Sequence, residues 1–264
     1  MKSMLLPVLL VCALAASCGK SRQNKPSSVE PPPAPSAELD APAPTPSASQ
    51  AAVLLPCERP KPAPNALLDD FEDGDAVLAL VAQRNGSWFV ATDGTSGGKS
   101  HPGAGPANPE RLVPARCDSL FALHFSGQGF VIWGAVAGAV LHFDQKSVPV
   151  DLSAYQGIRF WIKKGFQHTG VLRLNVDDAA THPDGGQCAE PALRGRTACW
   201  NSYGLDMPLL DADWEERRVP FSSLTQKLPE PSPRPLDTAH VHRVSFKASP
   251  GNTYDVWIDD ISFF

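Results

Sequence analysis

Apolar and polar residues alternate with a period of two through much of residues 65–264. In one such segment, Ile158, Phe160 and Ile162 would share a strand face, while arginine, tryptophan and lysine take the other. The alternating or apolar segments are residues 120–125, 158–163, 171–177, 214–221 and 242–248. Turn residues separate them, and no long stretch has the period of an amphipathic helix. The pattern predicts one all-β sandwich domain.

Two acidic stretches flanked by apolar residues lie at opposite ends of this region. Residues 67–74 read LLDDFEDG, and residues 254–264 read YDVWIDDISFF. Burying carboxylates beside apolar strand residues is costly unless they are paired or bind a cation. We therefore expect the first and last strands to lie together over a shared metal ion.

Residues 1–17 have the features of a bacterial lipoprotein signal peptide. Lys2 supplies a positive charge, and the apolar residues 5–14 are too few to span a bilayer. Small residues then precede Cys18, as in a lipoprotein cleavage box, so Cys18 is the predicted site of acyl chains such as palmitate. An ordinary secretory signal is the alternative. Gly19 stands where an aspartate retains many such lipoproteins at the inner membrane, which favours the outer membrane.

Residues 18–64 are rich in proline, alanine and serine and offer no apolar face to bury. Such a composition predicts a disordered, extended tether between the lipid and the domain at 65–264. We expect contact with the membrane through the lipid anchor alone, and a monomer. The net charge of −5, without a basic patch, makes nucleic acid an unexpected partner.

The cysteine pattern agrees with export. Besides Cys12 and Cys18, the chain has Cys57, Cys117, Cys188 and Cys199. An even number in an exported protein indicates disulfides. Cys188–Cys199 would close a local loop, and Cys57–Cys117 follows by elimination. A four-cysteine zinc site is the alternative, but the close cysteine pairs of such sites are missing.

Four segments resemble, in order, motifs of the family-11-like carbohydrate-binding modules, which are jelly-roll β-sandwiches of the galactose-binding-domain-like group. The segments are 150–161 (VDLSAYQGIRFW), 185–188 with 199–204 (GGQC and CWNSYG), 214–222 (WEERRVPFS) and 255–260 (DVWIDD). The resemblance covers about residues 67–264. It implies a jelly roll that binds a poly- or oligosaccharide without catalysis. The His-Glu-x-x-His motif of zinc hydrolases is absent, and we expect no enzyme. A structural or protein-interaction lipoprotein with the same fold is the alternative function.

The predicted sugar-binding face consists of outward strand positions. Sugars stack on aromatic rings and form hydrogen bonds with planar polar groups, and arginine offers a rigid fork of donors. Two aromatic residues just after the bridged loop would add a wall. The candidate residues are Arg159, Trp161, Arg173, Asn175, Asp177, Trp200, Tyr203 and Lys247. Packing of Trp161 under a loop is the alternative for that residue.

The resemblance also implies a structural calcium ion. Its ligands would be Glu72 and either Asp259 or Asp260, with backbone carbonyls near Asp118. Alternation places Asp259 on the face of Trp257 and Asp260 on the opposite face, so the pattern leaves the choice open. A solvated acidic rim is the alternative.

Overall fold

The computed structural model describes residues 62–63, 65–190, 198–208, 210–228 and 234–264. Within them the chain forms fifteen strands and two short 3-10 turns. The strands are β1 (Leu67–Asp69), β2 (Ser87–Thr92), β3 (Lys99–His101), β4 (Gly105–Pro106), β5 (Glu110–Arg116), β6 (Ser119–Gln128), β7 (Ala135–Val140), β8 (Phe143–Asp144), β9 (Lys146–Ser147), β10 (Gly157–Lys164), β11 (Leu172–Asp178), β12 (Tyr203–Met207), β13 (Glu215–Pro220), β14 (Val241–Ala248) and β15 (Tyr254–Phe263). The 3-10 turns are Pro183–Gly185 and Phe221–Ser223.

Most strands belong to two antiparallel sheets. Sheet 1 has the order β13-β10-β15-β6-β3, with β1 also paired to β15 and β5 to β6. Sheet 2 has the order β12-β11-β14-β7-β2-β4, and β8 and β9 form a separate hairpin. The predicted all-β sandwich of jelly-roll type is confirmed. No described helix is long and apolar enough to cross a membrane.

The core lies between the sheets and is filled by alternate residues of their strands. Ile158, Phe160 and Ile162 of β10 are fully buried, as the alternation predicted. From sheet 2, Phe246 packs against Phe160 edge-on, with ring centroids 5.1 Å apart. Apolar area removed from water at about 25 cal/mol per Å² is the main stabilising contribution of such contacts.

The first and last strands are neighbours, as the acidic stretches predicted. β1 pairs antiparallel with β15, with Leu67 opposite Ser262 and Asp69 opposite Ile261. Asp260 interrupts the alternation of β15 because it has a left-handed backbone, with φ of 48°. As a result Ile258 and Ile261 both face the core, although they are three residues apart.

Candidate binding groove on sheet 2

A groove runs along the outer face of sheet 2. Its larger part has a volume of about 650 Å³ and adjoins a cavity of about 350 Å³. The two parts share Trp133, Asn175, Trp200, Ser202 and Lys247. Arg243 lines the larger part and Arg173 the smaller. The floor comes from outward positions of β11 and β14, and the tryptophans come from two loops.

An ion pair fixes one end of the floor. Arg243 donates from Nε and Nη2 to Asp177 Oδ2, at 2.7 and 2.6 Å. Ser202 Oγ donates to the other oxygen of Asp177, which is fully buried. A buried carboxylate satisfied in this way holds the guanidinium in place instead of facing a ligand. Asp177 therefore supports the groove from beneath, although the sequence pattern placed it on the binding face.

Trp200 forms a wall above that ion pair. Its ring centroid lies 4.5 Å from Arg243 Cζ, and 41% of the residue is exposed. Its φ is 67°, a strained value for a bulky side chain. The backbone N–H of Trp200 donates to the Thr181 carbonyl at 2.8 Å, and its indole N–H donates to Glu190 at 3.2 Å. Strain that the surroundings maintain is a feature of functional positions.

A second exposed tryptophan in the groove, Trp133, was not predicted from the sequence. It sits on the loop between β6 and β7, where a single carboxylate oxygen of Asp93 accepts from the backbone N–H groups of Ile132, Trp133 and Gly134 at 2.8–3.0 Å. Desolvation opposes ionisation of Asp93, but hydrogen bonds, with Thr95 first, hold its pKa well below the usual range. The charged carboxylate therefore shapes the loop that presents Trp133.

Two further polar side chains complete the floor. Arg173 donates to Asn175 Oδ1 at 3.1 Å and to Asp206 at 3.0 Å, and it also bonds the Thr225 carbonyl. Lys247 lies 5.8 Å from the Trp133 ring centroid, with no hydrogen-bonding or ion-pair partner within the described residues. Burial, together with neighbouring cations, lowers the pKa of Lys247. Its ammonium donors are therefore available to a ligand.

A histidine pair lies beside Trp200. The rings of His182 and His242 stack with centroids 4.9 Å apart, and His182 meets Trp200 edge-on at 5.1 Å. Burial, and then the charge of Arg243, lower the pKa of His182 to about 4. His182 is therefore neutral near pH 7 and adds no positive charge to that of Arg243 at this end of the groove.

The structure places three of the eight candidate residues away from the groove, namely Arg159, Trp161 and Tyr203. β10 belongs to sheet 1, so Arg159 and Trp161 lie on the opposite side of the sandwich from the groove. There Arg159 donates to Ser262 at 2.9 Å, and the ring of Trp161 packs over Arg116 at 5.0 Å. Tyr203 is 3% exposed and belongs to the core, where its hydroxyl donates to the Arg234 carbonyl. Alternation shows which residues point away from the core, but each of two sheets has its own outer face.

Two of the residues predicted to bind calcium, Asp259 and Asp260, come together around a different cation. Arg116 donates to Asp259 at 2.8 Å and also bonds Asp260. Glu72 accepts from the Ser119 hydroxyl at 2.9 Å and from the backbone N–H of Leu120 at 3.0 Å.

Arg116 takes the place beside Asp259 and Asp260 that a calcium ion would need. The same Ser119 hydroxyl contacts Asp259 at 2.7 Å, and Asp118 lies in the exposed turn between β5 and β6. Burial raises the pKa of Asp259 to about 6, and Arg116 works against that rise. A guanidinium occupies the space between the carboxylates where a hard cation would need oxygen ligands on all sides. The calcium prediction itself stays untested.

The local disulfide is confirmed. Cys188 and Cys199 are bonded across 11 positions, directly before Trp200. Cys117 is disulfide-bonded as well. Its predicted partner Cys57 lies outside the described residues, as do Cys18 and the tether, so those expectations stay predictions.

The fold resembles family 11 carbohydrate-binding modules. One such module from Clostridium thermocellum, in complex with a β-1,3-1,4-mixed-linked tetrasaccharide, is 16% identical with a TM-score of 0.48, and the match covers 75% of this chain and 94% of that one. A family 30 carbohydrate-binding module of a cellulosomal cellulase from the same organism is 15% identical with a TM-score of 0.43, covering 67% and 90%. An exo-β-agarase is 11% identical with a TM-score of 0.43, covering 75% of this chain and 25% of the agarase. No family model and no curated protein matches the sequence.

Proposed function

We propose that the groove on sheet 2 binds a glycan and that the protein is a non-catalytic carbohydrate-binding protein of the cell envelope. The observation that carries the proposal is the pair of part-exposed rings, Trp133 and Trp200, beside one polar floor. Aromatic rings can stack on the C–H faces of sugars, and a few placed polar groups in a cleft fix ligand orientation.

The spacing of the two rings favours an oligosaccharide over a single sugar. Trp133 packs on Lys247 and Trp200 packs on Arg243, and these two cations stand four residues apart on β14. Four residues of a strand span about 13 Å. The donors of Asn175 lie between the two ends on the neighbouring strand, because Asn175 pairs with Ser245. A glycan chain bound along its length would contact both rings.

The carboxylates around the groove support binding without catalysis. Asp177 is occupied by Arg243 and Ser202. Asp184 accepts from the backbone N–H of Ser147 at 2.9 Å, and Glu190 accepts from the indole of Trp200. Glycosidases need two carboxylates that converge on the scissile bond. Incubation of the protein with any glycan it binds should release no reducing ends.

The proposal includes the lipid anchor. Acyl chains on Cys18 would hold the protein at the outer membrane, and residues 18–64 would carry the monomeric domain away from the lipid surface toward a glycan. The cellular location of the glycan that the protein binds would show whether the domain faces the periplasm or the outside.

Affinity electrophoresis of the full chain through gels containing soluble polysaccharides tests the function. At least one polysaccharide should retard the protein. Trp200→Ala and Trp133→Ala should each weaken that binding at least tenfold, which is about 1.4 kcal/mol. Trp161→Ala and Phe166→Ala are the matched aromatic controls, because Trp161 lies on sheet 1 and Phe166 is fully exposed.

Two results would contradict the proposal. Retardation by no polysaccharide would favour the protein-interaction lipoprotein. If Trp161→Ala lost binding while Trp200→Ala kept it, the binding site would lie on the outer face of sheet 1 and not in the groove.

A further inference from the structure

Three potential metal ligands converge on the outer face of sheet 1, on the side of the sandwich away from the groove. They are His101 at the end of β3, Glu110 at the start of β5 and His124 in the middle of β6. His101 lies opposite Ser126, and Glu110 lies opposite Ala122. Residues 122, 124 and 126 alternate onto one face, so both flanking side chains are diagonal neighbours of His124.

The ligand atoms are already close together. One donor atom from each of the three residues lies within 4.8 Å of the other two. His124 Nδ1 lies 3.1 Å from Glu110 Oε2, and His101 Nε2 contacts the other oxygen of Glu110. Ligands held at about 2.0–2.2 Å around a tetrahedral zinc ion are about 3.3–3.6 Å apart. Side-chain adjustments of about 1 Å would therefore close the cluster on an ion. His101 has room for such an adjustment because its side chain is exposed.

A second feature points to a metal ion independently. The other nitrogen of His124, Nε2, lies 3.0 Å from Asp255 Oδ1. The His124 ring also stacks on Trp257, with centroids 4.0 Å apart and planes 5° apart. With Nε2–H donating to Asp255, the Nδ1 lone pair of His124 would be available to an ion bound between His124 and Glu110. This carboxylate–histidine arrangement typically orients and strengthens a histidine ligand.

We propose that His101, Glu110 and His124 form a zinc site, with Asp255 as the positioning residue for His124. Two imidazoles and one carboxylate suit zinc and exclude calcium, which takes oxygen ligands. Three protein ligands leave a fourth position for water. A bound ion would tie β3 and β5 to β6, because the ligands come from all three strands.

Titration of zinc chloride into the untagged full chain, after treatment with a chelator, tests the site by calorimetry. Zinc should bind at one saturable site. His101→Ala and Glu110→Gln should each weaken it at least tenfold, and Asp255→Asn should weaken it about tenfold through His124. His240→Ala is the matched control, because His240 is an exposed histidine paired with Asp237.

A second readout separates binding from folding. Zinc should raise the melting temperature of the wild-type chain and of His240→Ala but not that of His101→Ala. His101 is exposed, so its loss should leave the metal-free melting temperature unchanged. Equal zinc affinity in His101→Ala and wild type would overturn the site, as would an absence of saturable binding.

Discussion

Among single residues, the buried carboxylates impose the strongest requirement, because each needs a partner for its charge. Asp177, Asp178 and Asp259 are fully buried, and each is held by an arginine that comes from a distant part of the chain. The arginine of Asp177 also supports a ring of the groove. Removing one partner of such a pair leaves an uncompensated charge and is costly. Residues that look like ligand groups in the sequence therefore act here as supports.

Asp69 differs from them because no arginine among the described residues pairs with it. Its two oxygens accept from the backbone N–H of Phe71 at 2.8 Å and from the Trp88 indole at 2.9 Å. Burial outweighs both hydrogen bonds and raises the pKa of Asp69 to about 7. The folded state therefore holds this proton more tightly than the unfolded state. Protonation of Asp69 therefore stabilises the folded state. This contribution is complete below pH 3.8 and is lost as the pH rises through about 7.

We therefore expect Asp69→Asn to flatten the pH dependence of unfolding. Between pH 4 and pH 7.5 the free energy of unfolding of the wild type should fall by about 2–4 kcal/mol relative to that of the variant. Urea unfolding of both proteins at several pH values measures the difference, and the other titrating groups cancel because both proteins share them. Parallel stability profiles would show that the pKa of Asp69 is not raised.

At the scale of elements, the loops present the groove, and the sheet supplies its floor. The loop with Trp133 is shaped by the Asp93 carboxylate, and the segment with Trp200 begins at a disulfide. Gly134 starts the turn into β7 with φ of 96°, and a Cβ there would lie 2.0 Å from the Ala248 carbonyl oxygen. Local constraints therefore hold both rings in place before a ligand binds. Binding should then cost little entropy for ordering these side chains.

The Cys188–Cys199 bridge should matter for both stability and binding. Replacing both cysteines by serine removes the constraint on a loop of 11 positions, which is about 2–3 kcal/mol by chain entropy. Because Trp200 follows Cys199 directly, glycan affinity should also fall. Chemical denaturation and affinity electrophoresis measure the two effects. As a control, Trp200→Ala should lose glycan affinity with little change in stability. An unchanged denaturation midpoint in the double cysteine variant would contradict the prediction.

At the scale of the whole molecule, the two outer faces carry different chemistry. Sheet 2 has the groove, and sheet 1 has the histidine cluster and a row of tryptophans packed against cations, in which Lys163 lies between Trp214 and Trp257. The two sites can therefore be tested independently. Zinc-site variants should leave glycan affinity unchanged, and groove variants should leave zinc affinity unchanged.

The proposed lipid anchor gives a prediction for the whole protein in the cell. Cys18→Ser should release the protein from the membrane fraction or stall its processing, because no acyl chain can then attach. Cys12→Ser is the matched control, since that residue belongs to the predicted signal peptide. Fractionation with detergent-phase partitioning measures the outcome. Unchanged partitioning of Cys18→Ser would disprove the lipid anchor.

Alternation in the sequence was enough to predict β10, β11, β14 and their core faces, and the short disulfide was predicted as well. Alternation is a local property of the backbone, so Ile158 and Phe160 could be placed in the core without knowing any partner strand. The acidic ends also placed β1 beside β15. Only the tertiary structure decided which sheet each strand joins, because strand pairing is set by contacts between distant segments. For that reason Trp161 and Asn175, both correctly predicted to point away from the core, lie on opposite sides of the molecule. The same long-range pairing brings His101, Glu110 and His124 together. It also places Arg116 beside Asp259 and Asp260, which were predicted to bind calcium.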